Sequence, residues 1–218
     1  MPKSLSDNAL NVLPYRALLR AENWEDRKRM VMALYDSGRV EASPVLRQAL
    51  QDPDERIRLL AAQALERISE RSERAIQAER ARIAARPEDP QPRLELARLL
   101  YERAGRASHS AETERSAYAE AGTHVTAALH GLKEPRLTSA RLQLGRIHAR
   151  LGQADEAIEA LEPVPPEALD YPHARYLIAE MRLQKGDVKG CREEIRGLER
   201  FPVKNGLKGS VAFWGSRP

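Results

Sequence analysis

The stretch from Arg136 to Arg200 nearly repeats itself with a period of 34 residues, and this repeat limits the possible folds more than any other feature of the sequence. Gly152 is matched by Gly186, and Ala157 by Cys191, each 34 positions later. Each period contains two helical patterns, with a glycine where the first should end. Such a period is typical of stacked helix pairs, because one pair alone cannot bury its apolar face. We therefore predict an all-α fold, a right-handed superhelical solenoid of antiparallel helix pairs.

Three glycines have predicted structural roles in this repeat. Gly145, matched by Ala179 at the same offset, lies where two helices should cross closely, and a small residue is needed there. Gly152 and Gly186 follow the first helix of their pairs. Glycine readily adopts the left-handed conformation that ends a helix, so both should be turn residues.

A different repeat, with an offset of 31 residues, occupies the segment Leu13–Ser69 and matches Arg58 with Arg27. This half resembles HEAT repeats, and the residues that carry the resemblance are Leu46, Leu50, Asp52, Pro53, Ile57, Arg58, Ala61, Ala64 and Leu65. In that family the aspartate and arginine of the motif tie neighbouring repeats together. The resemblance therefore implies structural roles for Asp52 and Arg58.

The sequence Asp52-Pro53-Asp54-Glu55 predicts the start of a helix. We expect Asp52 to cap it, Pro53 to take the first helical position, and Glu55 to complete a capping box. The helix should bury apolar residues at three- and four-residue spacing, namely Ile57, Leu60, Ala61, Ala64, Leu65 and Ile68.

The units of the longer period resemble tetratricopeptide repeats from Ser72 to Phe201. The resemblance rests on small residues and glycine turns at shared positions: Ala97, Gly145, Gly152, Ala157, Ala179, Gly186 and Cys191. The first unit departs from the period, because Ala97 and Gly145 are 48 residues apart. The excess falls around Arg106–Thr113, which we interpret as an enlarged turn or a helix extension. We predict the second helix of this unit from Ser116 to Leu129.

The chain thus divides into HEAT-like repeats (1–70), tetratricopeptide-like repeats (71–203) and a Gly-rich, basic tail (204–218). The tail contains Phe213 and Trp214. Two large aromatic residues in a tail without helical pattern predict one of two roles: they fold back over the last repeat, or they anchor in a partner.

The tetratricopeptide resemblance implies a concave groove lined by the first helix of each pair. It assigns to this groove Leu94, Arg98, Tyr101, Leu142, Arg146, Arg150, His173, Tyr176 and Glu180. Arginine and tyrosine are enriched where binding energy concentrates in interfaces. We therefore expect the groove to bind an extended or helical segment of a partner protein that carries acidic residues.

The charge distribution argues against a nucleic-acid partner. The net charge is +4, but Lys204, Lys208 and Arg217 lie in the tail, where no acid accompanies them. The remaining residues are close to neutral, whereas nucleic-acid binding needs a one-sided basic surface.

The sequence shows no pattern of catalysis or cofactor binding. The five histidines lack the spacing of a zinc site, and no Gly-rich phosphate loop is present. Cys191 occupies a small-residue packing position, which predicts a buried thiol rather than a reactive one. We assign no catalytic residue, no metal and no cofactor, and we predict a protein that is not an enzyme.

The order of HEAT-like and then tetratricopeptide-like repeats, followed by this tail, resembles the cytoplasmic region of the E component of the bacterial Pel exopolysaccharide machinery. That resemblance implies a scaffold at the cytoplasmic face of the inner membrane, held there by helices absent from this chain. It also implies the cyclic-di-GMP receptor subunit and the glycosyltransferase of the synthase as partners. No run of about 20 apolar residues occurs, so we expect no membrane insertion by this segment itself.

Two other classes of protein stay open. One is a soluble co-chaperone-like adaptor, distinguished from the scaffold by whether the natural gene encodes membrane helices upstream of Met1. The other is a HEAT-type DNA glycosylase for alkylated bases, which the neutral charge and the shortage of aromatic residues for base stacking disfavour. The sequence indicates no oligomeric state.

Overall fold

The computed structural model describes residues 23–37, 42–105, 110–198 and 201, and the regular secondary structure of these residues is helical throughout. The helices are α1 (Trp24–Ser37), α2 (Ser43–Ala49), α3 (Glu55–Ala85), α4 (Pro90–Ala104), α5 (Ala111–Leu129), α6 (Arg136–Leu151), α7 (Ala154–Leu161), α8 (Tyr171–Gln184) and α9 (Val188–Leu198). The predicted all-α fold of antiparallel helix pairs is confirmed.

The chain forms two compact units, unit 1 (Met1–Gln77) and unit 2 (Ala78–Pro218). The boundary lies inside α3, which continues unbroken from Glu55 to Ala85. The sequence pattern had placed the division at 70/71, where the HEAT-like spacing ends.

Unit 1 has an apolar core formed by α1, α2 and the first half of α3. On α3 the buried positions are Ile57, Ala61, Ala64 and Ile68, and the half-buried Leu60 and Leu65 pack at the edge of the same core. From α1 and α2 the core takes Met30, Val31, Leu34, Val45, Leu46 and Ala49. The three- and four-residue spacing of the sequence thus matches the face of α3 that packs inward.

The start of α3 differs from the prediction, because the helix begins at Glu55 and the capping residue is Asp54. Asp54 accepts the Arg56 backbone N–H on its side chain at 2.9 Å, and its carbonyl accepts the Arg58 N–H at 3.2 Å. The prediction that Asp52 caps the helix and Pro53 takes its first position is therefore wrong. The Asp52 carboxylate lies one turn earlier, where it accepts the Asp54 backbone N–H at 2.9 Å and binds the guanidinium of Arg27 at 2.8 Å.

Unit 2 contains three helix pairs, α4–α5, α6–α7 and α8–α9. The predicted start of α5 at Ser116 is wrong, since the helix begins at Ala111. Ser110 caps it by accepting the Thr113 backbone N–H at 3.2 Å. Glu112 and Glu114 in the first turn stabilise the helix, because their negative charges interact favourably with the positive end of the helix dipole. The extra residues of this repeat therefore lengthen its second helix.

Glycines occur in unit 2 where α6 and α7 pack closely and where α6 and α8 end. A methyl group at Gly145 would lie 2.6 Å from Cδ2 and 2.8 Å from Cδ1 of Leu161, and nearer still to Cγ. Gly152 follows α6 with φ of 74°, and Gly186 comes after α8 with φ of 81°. Both values lie in the left-handed region that other residues adopt at a cost.

Candidate protein-binding groove

An open groove of about 440 Å³ lies between α4 and α6 in unit 2. We call it the α4–α6 groove, and its lining residues are Arg98, Tyr101, Glu102, Ser139, Leu142, Gln143, Arg146 and Asp170. The four residues from α6 lie on one face of the helix, because Leu142 and Gln143 are each three or four positions from both Ser139 and Arg146. Asp170 immediately precedes α8.

The floor of the groove is held in place by packing. Leu142 is only 4% exposed and packs with Leu161 of α7 and with Ala174 and Ile178 of α8. The ring of Tyr101 meets Tyr118 of α5 edge to face, with centroids 5.2 Å apart. A ligand that contacts Tyr101 or Leu142 therefore meets side chains that are already ordered.

Arg98 lines the groove, but it is already paired with two carboxylates of its own helix, α4. Its guanidinium binds Glu95 at 2.5 and 3.0 Å and also binds Glu102. The hydrogen bonds to Arg98 lower the pKa of Glu95, and those to Glu95 raise the pKa of Arg98. Because two carboxylates surround this arginine, a third from a partner would gain little there.

Arg146 and Arg150 are the cations that α6 presents to solvent beside the groove. Arg146 is exposed, and in the part of the chain that the structure describes it has neither an ion pair nor a hydrogen bond. Arg150 donates through Nε to the Tyr101 hydroxyl at 3.4 Å, and this bond raises the pKa of Arg150. Both guanidiniums can accommodate a carboxylate in a two-pronged arrangement.

The other predicted groove residues lie elsewhere in unit 2. Tyr176 packs against the cluster that α8 forms with α9, and Glu180 is exposed on α8. Leu94 and His173 are half-buried, and none of these four lines the α4–α6 groove. The groove is thus narrower than the nine-residue surface that the resemblance implied, and a binding role for these four stays a prediction.

Sequence reasoning missed four lining residues: Glu102, Ser139, Gln143 and Asp170. The first three could have been found by helical spacing, because each lies three or four positions from a predicted residue on the same helix. Asp170 carries no such signal, since it lies in the connection before α8. The Gln143 side-chain nitrogen is buried and lacks a hydrogen-bond partner within the described residues.

The structural residues of unit 1 form a buried ion pair with an adjoining backbone contact. Arg27 binds Asp52 at 2.8 and 3.2 Å, and the two side chains are 10% and 3% exposed. Arg58 donates instead to the carbonyls of Asp52 and Pro53, at 2.9 and 3.0 Å. Arg27 was not predicted as the partner, although the 31-residue offset had matched it with Arg58. Phe213, Trp214 and the rest of 204–218 lie outside the described residues.

The described residues were predicted to lack a metal site, a reactive thiol and a membrane span, and the structure describes each of these features as follows. No group of His, Cys, Asp or Glu side chains there is arranged to hold a metal ion. Cys191 is buried, and burial raises the pKa of its thiol. Within the same residues, every helix is too short or too polar to span a bilayer.

Comparison with known proteins agrees with these helix pairs. Residues 14–100 match the family described as HEAT repeats, and residues 113–181 match the family described as tetratricopeptide repeat. Two families of helical repeat thus match different parts of the chain. The HEAT match extends into α4 as far as Leu100, although the sequence pattern had assigned this helix to the tetratricopeptide-like part.

A solved structure has the same fold as this repeat protein. It is the crystal structure of a thermophilic tetratricopeptide-repeat protein from Thermus thermophilus, with a TM-score of 0.52 and 21% sequence identity. The likeness covers 88% of this chain and 98% of the other. No curated protein matches the sequence significantly. At this identity the likeness shows the fold alone.

Proposed function

We propose that this repeat protein is a non-enzymatic scaffold that holds a segment of a partner protein in the α4–α6 groove. HEAT and tetratricopeptide repeats suggest protein–protein interaction, because stacked helix pairs create long binding surfaces. The observation that carries the proposal is local. Two arginines without acidic partners among the described residues, Arg146 and Arg150, stand beside an ordered tyrosine and a leucine.

These residues have the physical properties of an interface centre. Tyr101 and Leu142 supply apolar contact at little entropic cost, because packing already fixes both side chains. Arg146 and Arg150 supply charge-assisted hydrogen bonds to a carboxylate. A partner segment with an acidic residue next to an apolar one would match this arrangement.

We further propose that the partner belongs to an exopolysaccharide synthase of the Pel type. Support comes from the order of the repeats, HEAT-like before tetratricopeptide-like, which resembles the cytoplasmic region of the E component. The partners would then be the cyclic-di-GMP receptor subunit, the cytoplasmic glycosyltransferase, or both. The scaffold would work at the cytoplasmic face of the inner membrane.

A capture experiment with the full chain tests both levels of this proposal. The chain is immobilised and offered the purified receptor subunit and glycosyltransferase, and separately a lysate of the native cell. The groove variant carries Arg146→Glu and Arg150→Glu. The matched control carries Arg115→Glu and Arg196→Glu, which make the same charge change at exposed positions on α5 and α9.

We expect the wild type and the control to retain a partner and the groove variant to lose it. Equal retention by all three would refute the groove as the binding site. Capture of a chaperone in place of the synthase subunits would favour the soluble adaptor and overturn the Pel assignment, while the scaffold function would stand.

A further inference from the structure

The first helices of the three pairs in unit 2 carry charged residues at equivalent positions. Arg98 on α4, Arg146 on α6 and Glu180 on α8 are related by the 48- and 34-residue offsets of the repeat. The helices contact one another in this order, α4 with α6 and α6 with α8. One row of the repeat therefore places two arginines and one glutamate on successive helices.

The three charges of this row differ in what surrounds them. Arg98 is enclosed by Glu95 and Glu102. Arg146 and Glu180 are exposed, and neither forms an ion pair or hydrogen bond within the described residues. The row thus offers a partner one unpaired positive charge on α6 and one unpaired negative charge on α8.

Arg146 and Glu180 do not pair with each other. Packed helices have axes about 8–10 Å apart, which is longer than a direct ion pair and sets the spacing of equivalent positions. An extended chain advances about 3.3–3.6 Å per residue, so about three residues cover this distance. A single extended segment that crosses α6 and α8 can therefore reach both charges.

The surface between and beside these charges suits such a segment. On the α6 side, Leu142 and Tyr101 form the floor of the α4–α6 groove. On the α8 side, Leu183 lies one turn beyond Glu180 and is 36% exposed. Apolar contact is thus available next to both charged positions.

We propose that the bound segment has mixed charge: an acidic residue pairs with Arg146, and a basic residue about three positions away pairs with Glu180. This rests on the proposed function, because it names the chemistry of the same partner. A purely acidic segment would meet repulsion at Glu180 and would be disfavoured. Such charge patterns select partners by rejecting wrong ones as much as by attracting the right one.

A displayed library of random linear peptides, selected on the full chain, tests the proposal without a known partner. Wild type is compared with Glu180→Lys. The matched control is Glu156→Lys, which makes the same charge change at an exposed position on α7. Selected peptides are sequenced, and their affinities for the three proteins are measured.

We expect wild type and the control to select peptides with an acidic and a basic residue about three positions apart. Glu180→Lys should select peptides in which a second acidic residue replaces the basic one. Peptides from the wild-type pool should bind Glu180→Lys roughly tenfold more weakly, because an ion pair becomes a repulsion.

Two results would overturn the inference, and they differ in what they leave standing. The mixed-charge partner is wrong if the peptides selected on wild type show no charge pair, or if the peptides selected on Glu180→Lys still contain the basic residue. In either case the groove function remains. If no peptide is enriched on wild type, both the inference and the proposed groove fail.

Discussion

Arg27 shows how one residue can connect two repeats. Its guanidinium binds both carboxylate oxygens of Asp52, and one of these oxygens also accepts the Asp54 backbone N–H at 2.9 Å. Asp54 is held by Arg56, whose hydrogen bond lowers the pKa of Asp54 to about 2. Propensity rules identified the correct segment for the helix start, but they did not show that Asp54, and not Asp52, accepts a backbone N–H from the first turn of α3.

Removal of the Asp52 carboxylate should destabilise the protein strongly. Asp52→Ala removes the carboxylate that pairs with the buried Arg27 guanidinium, and loss of one partner of a buried ion pair costs about 3 kcal/mol or more. Urea denaturation of the full chain measures the change in the free energy of unfolding. The control is Asp26→Ala, which removes an exposed pair with Arg29 and should cost under about 1 kcal/mol. Equal effects of the two substitutions would contradict the structural role of Asp52.

His124 on α5 should make stability depend on pH. Burial lowers its pKa below the 6.5 of a free histidine; Glu120 opposes this, and Arg93 and Arg80 add to it. Its Nδ1 is buried and has no hydrogen-bond partner within the described residues. Because the folded pKa is lowered, the unfolded chain takes up the proton first. The neutral form therefore stabilises the fold above pH 6.5, and this contribution is lost as pH falls through the folded pKa.

Thermal melts of wild type and His124→Gln between about pH 7.5 and about pH 5 measure this effect. As the pH falls, we expect the melting temperature of the wild type to decrease by more than that of the variant. The variant His130→Gln, at an exposed position at the end of the same helix, reports the effect of removing a histidine as such. Parallel pH profiles for wild type and His124→Gln would show that His124 is not the responsible group.

At the scale of helices, the sequence predicted most reliably the helix ends at which the backbone must adopt a left-handed conformation. Gly152 and Gly186 end their helices with positive φ, and the recurrence of glycine at a fixed period indicates such a requirement. The start of α5 was missed because helical periodicity in Ser116–Leu129 continues backwards into polar residues. Polar sequence on an exposed helix face cannot be told from loop by periodicity alone.

The close approach of α6 to α7 makes Gly145 intolerant of a side chain. Gly145→Ala would force its methyl group into Leu161, which is 1% exposed and cannot move without disturbing the core. Such overpacking costs about 1–3 kcal/mol, measured as a loss of unfolding free energy in urea. The control Gly197→Ala, where nothing lies within 4 Å, should instead stabilise α9 by up to about 1 kcal/mol. A stabilising Gly145→Ala would show that the two helices are further apart.

At the scale of the molecule, the fold class followed from two periods, but the binding groove could not be read from them. Arg98 and Arg146 are equivalent in the repeat, yet ion pairs within α4 occupy the first, while the second has no partner among the described residues. A repeat alignment assigns positions and does not assign their partners. Asp170 shows the same limit, because it reaches the groove from an irregular connection.

The mixed charges predict that the whole protein does not bind duplex DNA at physiological salt. Several arginines of unit 2 pair with carboxylates, as Arg80 does with Glu120 at 2.7 Å, and this reduces the counterion release that could drive binding. Fluorescence anisotropy with a labelled duplex measures this, with and without alkylated bases. Binding at low salt should weaken when Lys204, Lys208 and Arg217 are replaced by alanine. Micromolar affinity at physiological salt would revive the glycosylase alternative.

Leu142 contributes both to the proposed binding groove and to the packing between neighbouring helix pairs. One side of this leucine forms the floor of the groove, and the other joins α6 to Leu161 and to Ile178 of the following pair. A segment bound in the groove should therefore stabilise the packing between neighbouring repeats, and binding to the folded state should raise the melting temperature. A substitution at Leu142 would therefore lower both partner affinity and protein stability, and the two effects could not be separated. Arg146 is exposed, so it can be replaced without disturbing the packing between the helix pairs.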